Sequence, residues 1–270
     1  QREDTLRRIA GIALDGQSIF FVRYRSDKPL PQGAIPKEQL TQFQLFEEDA
    51  PQGSFVEIGP YQITEESVNE FLMYLRALRR RRLTAEELGK EFGPDGEVAH
   101  QMVNALYTRL EECLTAPGHP FPRVETLYEE WKRIFGIVYG QEIAKANKDA
   151  LALARLYHID QFTDLKPLLF AVHTYYAFFM KLLAAELLSL QQGALLPSIS
   201  EQIPGAPSEA LQSSLHNLEN NTWFEAQGIR NFLEADFFGW YLDSWNAEIE
   251  EVVRNLARSL AEYEPATGTL

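Results

Sequence analysis

Cysteine is almost missing from this chain: Cys113 is the single one in 270 residues. No intrachain disulfide can form and no cysteine-based metal site can be built, which fits a reducing cytoplasm. Residues 1–9 alternate charges and lack an apolar run, so no signal peptide is expected. No Gly-rich loop joins a strand to a helix, which argues against a dinucleotide or P-loop site. Neither Gly-x-Ser-x-Gly nor His-Glu-x-x-His occurs. The longest uncharged apolar stretch lies between Lys166 and Lys181 and spans 14 residues with His173 inside it. A membrane helix needs about 20, so a buried core helix is expected there and no membrane partner.

Basic charge is scarce in one part of the chain only. Residues 1–82 hold 12 basic and 12 acidic side chains, so the whole net charge of −14 falls on residues 83–270. Phosphate-gripping domains are usually basic. The C-terminal two thirds is therefore a poor main DNA surface and a better scaffold with acidic faces. What the chain has in quantity is aromatic residues, with 17 Phe, 11 Tyr and 4 Trp, and these favour a folded core over disorder. The length suits one large domain or two small ones.

The pattern predicts a mainly α protein with a small N-terminal β-hairpin. Asp15-Gly16 between two apolar runs, Ile9 to Leu14 and Ser18 to Tyr24, is a tight-turn signal. A third strand is expected near Ser54 to Ile58, after a Pro-rich loop from Ser26 to Gly53. Helices follow. Thr64 is a cap for a helix carrying Val68, Phe71, Leu72, Leu75 and Leu78 on one face. Thr84-Ala-Glu-Glu87 matches a capping box. Asp95 is expected to start a helix striped with Val103, Leu106, Leu110 and Leu114. Val124 to Val138, Glu142 to Tyr157, Thr163 to Leu190, Ser208 to Leu218 and a single helix from about Phe237 to Glu262 complete the series. Gln191 to Pro207 reads as loop. The domain division expected is 1–63, a small β-containing remnant, and 64–270, a helical domain.

Few residues propose chemistry. Pro94-Asp95 with Glu130-Trp131-Lys132 formally matches the carboxylate–lysine pattern of Mg²⁺-dependent nucleases. Asp95 is better explained as a cap, and Glu130 and Lys132 as polar faces of a helix. His100, His119, His158, His173 and His216 show no metal-ligand spacing along the chain. His173 is expected to be a core histidine whose ring bonds a buried carbonyl or hydroxyl, with a ligand or catalytic role as the alternative. Arg76, Arg79, Arg80, Arg81 and Arg82 form the basic cluster. Three roles stay open for it: a solvated helix C-terminus favoured by the dipole, nucleic-acid phosphate contact, or an interdomain ion-pair patch. Glu234 and Asp236 read as helix-start carboxylates.

Two stretches carry a family resemblance. They are Phe170-Ala-Val-His-Thr-Tyr-Tyr-Ala-Phe-Phe-Met-Lys-Leu-Leu-Ala-Ala-Glu186 and Gly228-Ile-Arg-Asn-Phe-Leu-Glu-Ala-Asp-Phe-Phe-Gly-Trp-Tyr-Leu-Asp243. Both resemble the helical region that precedes the methyltransferase domain in large bacterial N6-adenine DNA methyltransferases, the type IIG restriction–modification and related phage-defence proteins. Gly11 to Gly16 with Phe20 to Tyr24 is similar to late strands of the nuclease-like domain that opens many of them. The resemblance implies structural roles for His173, Tyr175, Asn231, Phe232, Asp236, Phe237, Trp240 and Asp243. It implies S-adenosylmethionine as cofactor of a full-length parent, and Mg²⁺ where that parent also cuts DNA. The Asp/Asn-Pro-Pro-Tyr/Phe tetrapeptide, with which such enzymes hold the target amine, does not occur here. No catalytic or cofactor-binding residue is therefore carried over, and no metal site is expected.

The expectation is a non-catalytic helical connector segment of such an enzyme, cytoplasmic, with flanking domains as partners and duplex DNA as a further candidate. The alternatives are an independent DNA-binding module and a protein-interaction module with an acidic helical face.

Overall fold

The computed structural model describes residues 10–26, 53–65, 67–68, 71–72, 80–143, 147–191, 197–230, 232 and 237–265. The chain forms two compact units, Gln1–Arg79 with Gly193–Leu195, and Arg80–Gln192 with Leu196–Leu270. The division thus falls at Arg79/Arg80, whereas the sequence suggests residue 63. The protein is mainly α, with one small antiparallel sheet near its start.

In the first unit, β1 (Ala10–Leu14), β2 (Ser18–Ser26) and β3 (Gly53–Gln62) form a sheet in the order β1-β2-β3. Gly16 takes φ +87°, and the Asp15 carboxylate accepts from the backbone N–H of Gln17 at 2.8 Å and of Ser18 at 2.6 Å. These bonds close the turn and lower the Asp15 pKa. Leu14 then faces Ile19 and Gly11 faces Val22 in register. β3 is longer than its sequence signal and crosses β2 with a register irregularity between Ile19 and Phe21. Thr64 caps the following turn as expected, its hydroxyl accepting from the Ser67 N–H at 3.2 Å. Of that helix's apolar face, Leu75 and Leu78 lie outside the described residues, as does the expected loop 27–52.

The second unit opens with β4 (Arg81–Leu83) and α1 (Ala85–Glu91). Thr84 caps α1 by accepting from the Glu87 N–H. α2 (Glu97–Thr115) follows and buries Met102, Val103, Leu106 and Leu110 completely. Its cap is Gly96 and not Asp95, which corrects the sequence reading. A side chain at position 96 would place Cβ 2.1 Å from the Glu91 carbonyl oxygen, so the tight approach demands glycine. α3 (Pro122–Ile143) turns Val124, Tyr128 and Trp131 inward, and α4 spans Asn147–Leu156.

α5 (Leu165–Gln191) is the central helix, and α2 lies along it. By length and hydropathy Leu165–Leu190 has the makings of a membrane span, yet 61% of its apolar window is buried inside the protein. Its Phe170, Ala171, Tyr175, Phe178 and Leu182 are core residues. The stretch after it contains α6 (Ile199–Gln202) and a single 3₁₀ turn at Ile203–Gly205, a correction to the all-loop reading. Ser198 and Glu201 supply a complete capping box there.

α7 (Ser208–Glu219) and α8 (Thr222–Ala226) join through Asn221 at φ +67°. The single helix expected from Phe237 to Glu262 is two: α9 (Trp240–Asp243) and α10 (Ala247–Ala261). Asn246 causes the break, because its side chain accepts from the Ile249 N–H at 2.8 Å and starts a new helix. α10 buries Ile249, Val252, Val253, Leu256, Ala257 and Leu260 against α2 and α6. Each large side chain among them contributes roughly 1.5–3 kcal/mol of burial. β5 (Tyr263–Pro265) then pairs in parallel with β4.

Candidate functional site

Three polar clusters stand out within the helical unit. The first ties its two ends together. Arg81 pairs with Tyr263, Arg82 with Glu264 and Leu83 with Pro265, and the Arg81 N–H donates to the Glu262 carbonyl at 2.7 Å. Arg80 anchors this clasp. Its side chain is 4% exposed. The guanidinium reaches Glu186 at the end of α5 at 3.0 Å, Glu201 of α6 at 2.8 Å, the Ser198 hydroxyl at 3.1 Å and the Tyr263 carbonyl at 3.2 Å. Burial works against the Arg80 charge, but the hydrogen bonds and charges of Glu201 and Glu186 outweigh it and its pKa is raised. The other Glu186 oxygen accepts from the Ser200 N–H at 2.9 Å. Arg81 behaves differently: it is about half exposed, lies 4.5 Å over the Tyr263 ring, bonds the Tyr263 hydroxyl and meets Glu87 at 3.4 Å.

The arginine run is therefore not one patch. Arg81 lies in β4, and Arg80 is buried against Glu186, Glu201 and Ser198 of the helical unit. Arg82 lies in β4, and Arg76 and Arg79 lie outside the described residues.

The second cluster joins the two stretches that carry the family resemblance. The Lys181 ammonium of α5 donates to the Glu219 carboxylate at 2.7 Å and to the Glu219 carbonyl at 2.9 Å, with both side chains 1% exposed. The Tyr241 hydroxyl donates to the other Glu219 oxygen at 2.8 Å. Complete burial and the adjacent carboxylate push the Tyr241 pKa well up, so it stays a donor. Next to Tyr241 in the chain, the Trp240 indole donates to the Thr174 hydroxyl at 2.8 Å while its ring stacks on Phe170. Tyr175 donates to the Phe92 carbonyl at 2.7 Å. His173 accepts from the Trp131 indole on Nδ1 at 3.2 Å, and burial lowers its pKa. Phe232 packs on Phe224, Phe237 meets Phe238 edge-on, and Asp243 pairs with Arg123 at 3.4 Å. Asn231 and Asp236 lie outside the described residues.

The third cluster is one that sequence spacing missed. His100 of α2 and His158, just past α4, stand with ring centroids 4.1 Å apart. They are 58 positions apart in the chain, so no local motif signals the pair. Among the described residues no group of three or more His, Cys, Asp or Glu side chains is arranged to hold a metal ion. The nuclease-like trio stays dispersed in role: Asp95 and Glu130 are exposed, and Lys132 pairs with Glu129 at 2.7 Å. No protein-family model, curated protein or solved structure matches this chain.

Proposed function

We propose that this chain is a non-catalytic helical connector of a bacterial DNA adenine-methyltransferase or restriction–modification enzyme, acting in the cytoplasm. The observation that carries the connector reading is the β4–β5 clasp. The chain enters the helical unit at Arg80 and reaches its last described strand at Tyr263–Pro265, and these two points are hydrogen-bonded neighbours. A unit closed in this way fixes the separation of whatever lies before and after it. Positioning of catalytic and recognition domains needs such rigid support.

The resemblance of 170–186 and 228–243 supplies the enzyme class. These two stretches meet in one core through Thr174 and Trp240, and through Lys181 and Tyr241 on Glu219. Their likeness is therefore to a packed core rather than to two unrelated surface segments. The excess of acidic charge after Arg82 and the burial of Arg80 both weigh against phosphate gripping.

The test is duplex-DNA binding by fluorescence anisotropy at low and high salt, together with methyl transfer from S-adenosylmethionine. A connector gives no methyl transfer and no submicromolar binding even at low salt. Tight binding that collapses with salt would replace this reading with a DNA-binding module.

A further inference from the structure

We propose that the cleft between α6 and α7 is a docking site for a peptide segment of a partner protein, one that offers an apolar side chain beside a basic one. The cleft has a volume of about 370 Å³, within the range of sites that hold a ligand. Gln202 and Ile203 lie on one wall, Ala210, Leu211 and Asn217 of α7 on the other, and Trp223 of α8 adds to the lining. Ile203 and Leu211 are 3% and 0% exposed and give the cleft an apolar base. The irregular wall is pinned from behind. The Arg254 guanidinium of α10 donates to the carbonyls of Ile203 at 2.8 Å, Pro204 at 3.1 Å and Ala206 at 2.8 Å, and is itself held by Glu250 at 2.6 Å. A turn fixed this way keeps the cleft formed before any partner arrives, which lowers the cost of binding.

The lining states what fits. The chain carries a net charge of −14, yet none of the described residues that line the cleft is ionisable. An apolar, charge-free patch that includes a tryptophan has the composition of the centre of a protein–protein contact. Its polar groups match a peptide backbone. Trp223 is half-buried, and its indole N–H has no hydrogen-bond partner among the described residues. An indole only donates, so it calls for a carbonyl. The Asn217 carboxamide is likewise without a partner there and offers both a donor and an acceptor, the pairing that a peptide unit presents. The Gln202 amide nitrogen is committed to the Pro197 carbonyl at 2.7 Å, which leaves its oxygen to accept. Beside the lining, Glu209 next to Ala210 and Glu225 two residues past Trp223 are exposed carboxylates. With the overall negative charge they favour a basic residue next to the apolar anchor.

The experiment titrates the full chain with the acetylated, amidated tripeptide Leu-Leu-Lys and follows the Trp223 indole ¹H–¹⁵N signal, assigned by its loss in Trp223→Phe. The site predicts a saturable shift of Trp223 and of the Asn217 side-chain amide, with the other indole signals unmoved and a Kd of about 1 mM or tighter. Ser-Ser-Lys lacks the anchor and should bind about tenfold more weakly. Leu-Leu-Glu reverses the charge and should bind about threefold more weakly, a gap that narrows with salt. Ala210→Leu places a good helix former at an exposed position and fills the cleft. It should weaken Leu-Leu-Lys about tenfold with unchanged circular dichroism, and the comparison of peptides stands without it. The proposal is overturned if Trp223 does not respond, if Ser-Ser-Lys binds as well as Leu-Leu-Lys, if Leu-Leu-Glu binds best, or if a folded Ala210→Leu binds as before. Adenosine that moves the Trp223 signal where the peptides do not would make the cleft a nucleobase site instead.

Discussion

The Trp240 indole N–H donates to the Thr174 hydroxyl at 2.8 Å, and both residues are fully buried. Thr174 also donates, at 2.8 Å, to the Phe170 carbonyl one turn back. The hydroxyl thus satisfies the buried indole. Thr174→Val keeps the shape and strands the indole N–H. The expected loss is about 1–3 kcal/mol of stability, measured by urea unfolding. A change near zero would mean that the indole finds another acceptor.

Lys181 and Glu219 form an ion pair with almost no solvent contact, so the cost of breaking it is the cost of a stranded charge. Lys181→Met is expected to lose about 3–5 kcal/mol. The double change Lys181→Met with Glu219→Gln should recover much of that loss, because no buried charge remains and an amide oxygen can still accept from Tyr241. Equal losses in the single and double variants would show that packing, not charge, dominates there.

Arg80 and Arg81 are adjacent but should respond unequally. Arg80→Gln leaves Glu186 buried without its cation and is expected to cost about 3–5 kcal/mol. Arg81→Ala removes an exposed pair and a ring contact, for about 1 kcal/mol or less. Chemical denaturation of both variants checks this. Equal effects would contradict the assignment of Arg80 as the anchor.

How much of this was legible in the sequence differs from element to element. The Asp15-Gly16 turn, the Thr64 and Thr84 caps and the stripes of α2, α3 and α5 follow local rules, and local rules are what a sequence displays. Ser198-x-x-Glu201 also displays its capping box, but the surrounding Gly and Pro residues hid it. Asn246 was hidden by the apolar repeat that runs on through it. The fate of Arg80 was not legible at all. Its buried partner Glu186 lies 106 positions away, and four arginines in a row look alike until one is buried. The pairing of His100 with His158 depends in the same way on how α2 and α4 come together.

His173 gives the fold a pH dependence with a definite sign. Burial lowers its pKa in the folded state, and protonation of Nδ1 would turn the bond from Trp131 into two opposed donors. The unfolded chain binds the proton more readily, near the ordinary value of about 6.5. This contribution to stability is therefore complete above about pH 6.5 and is lost as pH falls from there through the depressed folded value. The midpoint of urea unfolding should drop on acidification in the parent protein and drop less in His173→Gln. Equal drops would remove His173 from the account.

The connector reading stands or falls on the clasp, and amide hydrogen exchange at Arg81 tests it most directly. Its N–H donates to the Glu262 carbonyl, at the point where the two ends of the helical unit meet. If the ends are rigidly tied, Arg81 exchanges only on global unfolding, with protection matching the buried turns of α2 and α5. Exchange of Arg81 at the rate of a fraying terminus, while α2 stays protected, would show that the ends are loose and that the unit cannot set the spacing of its neighbours.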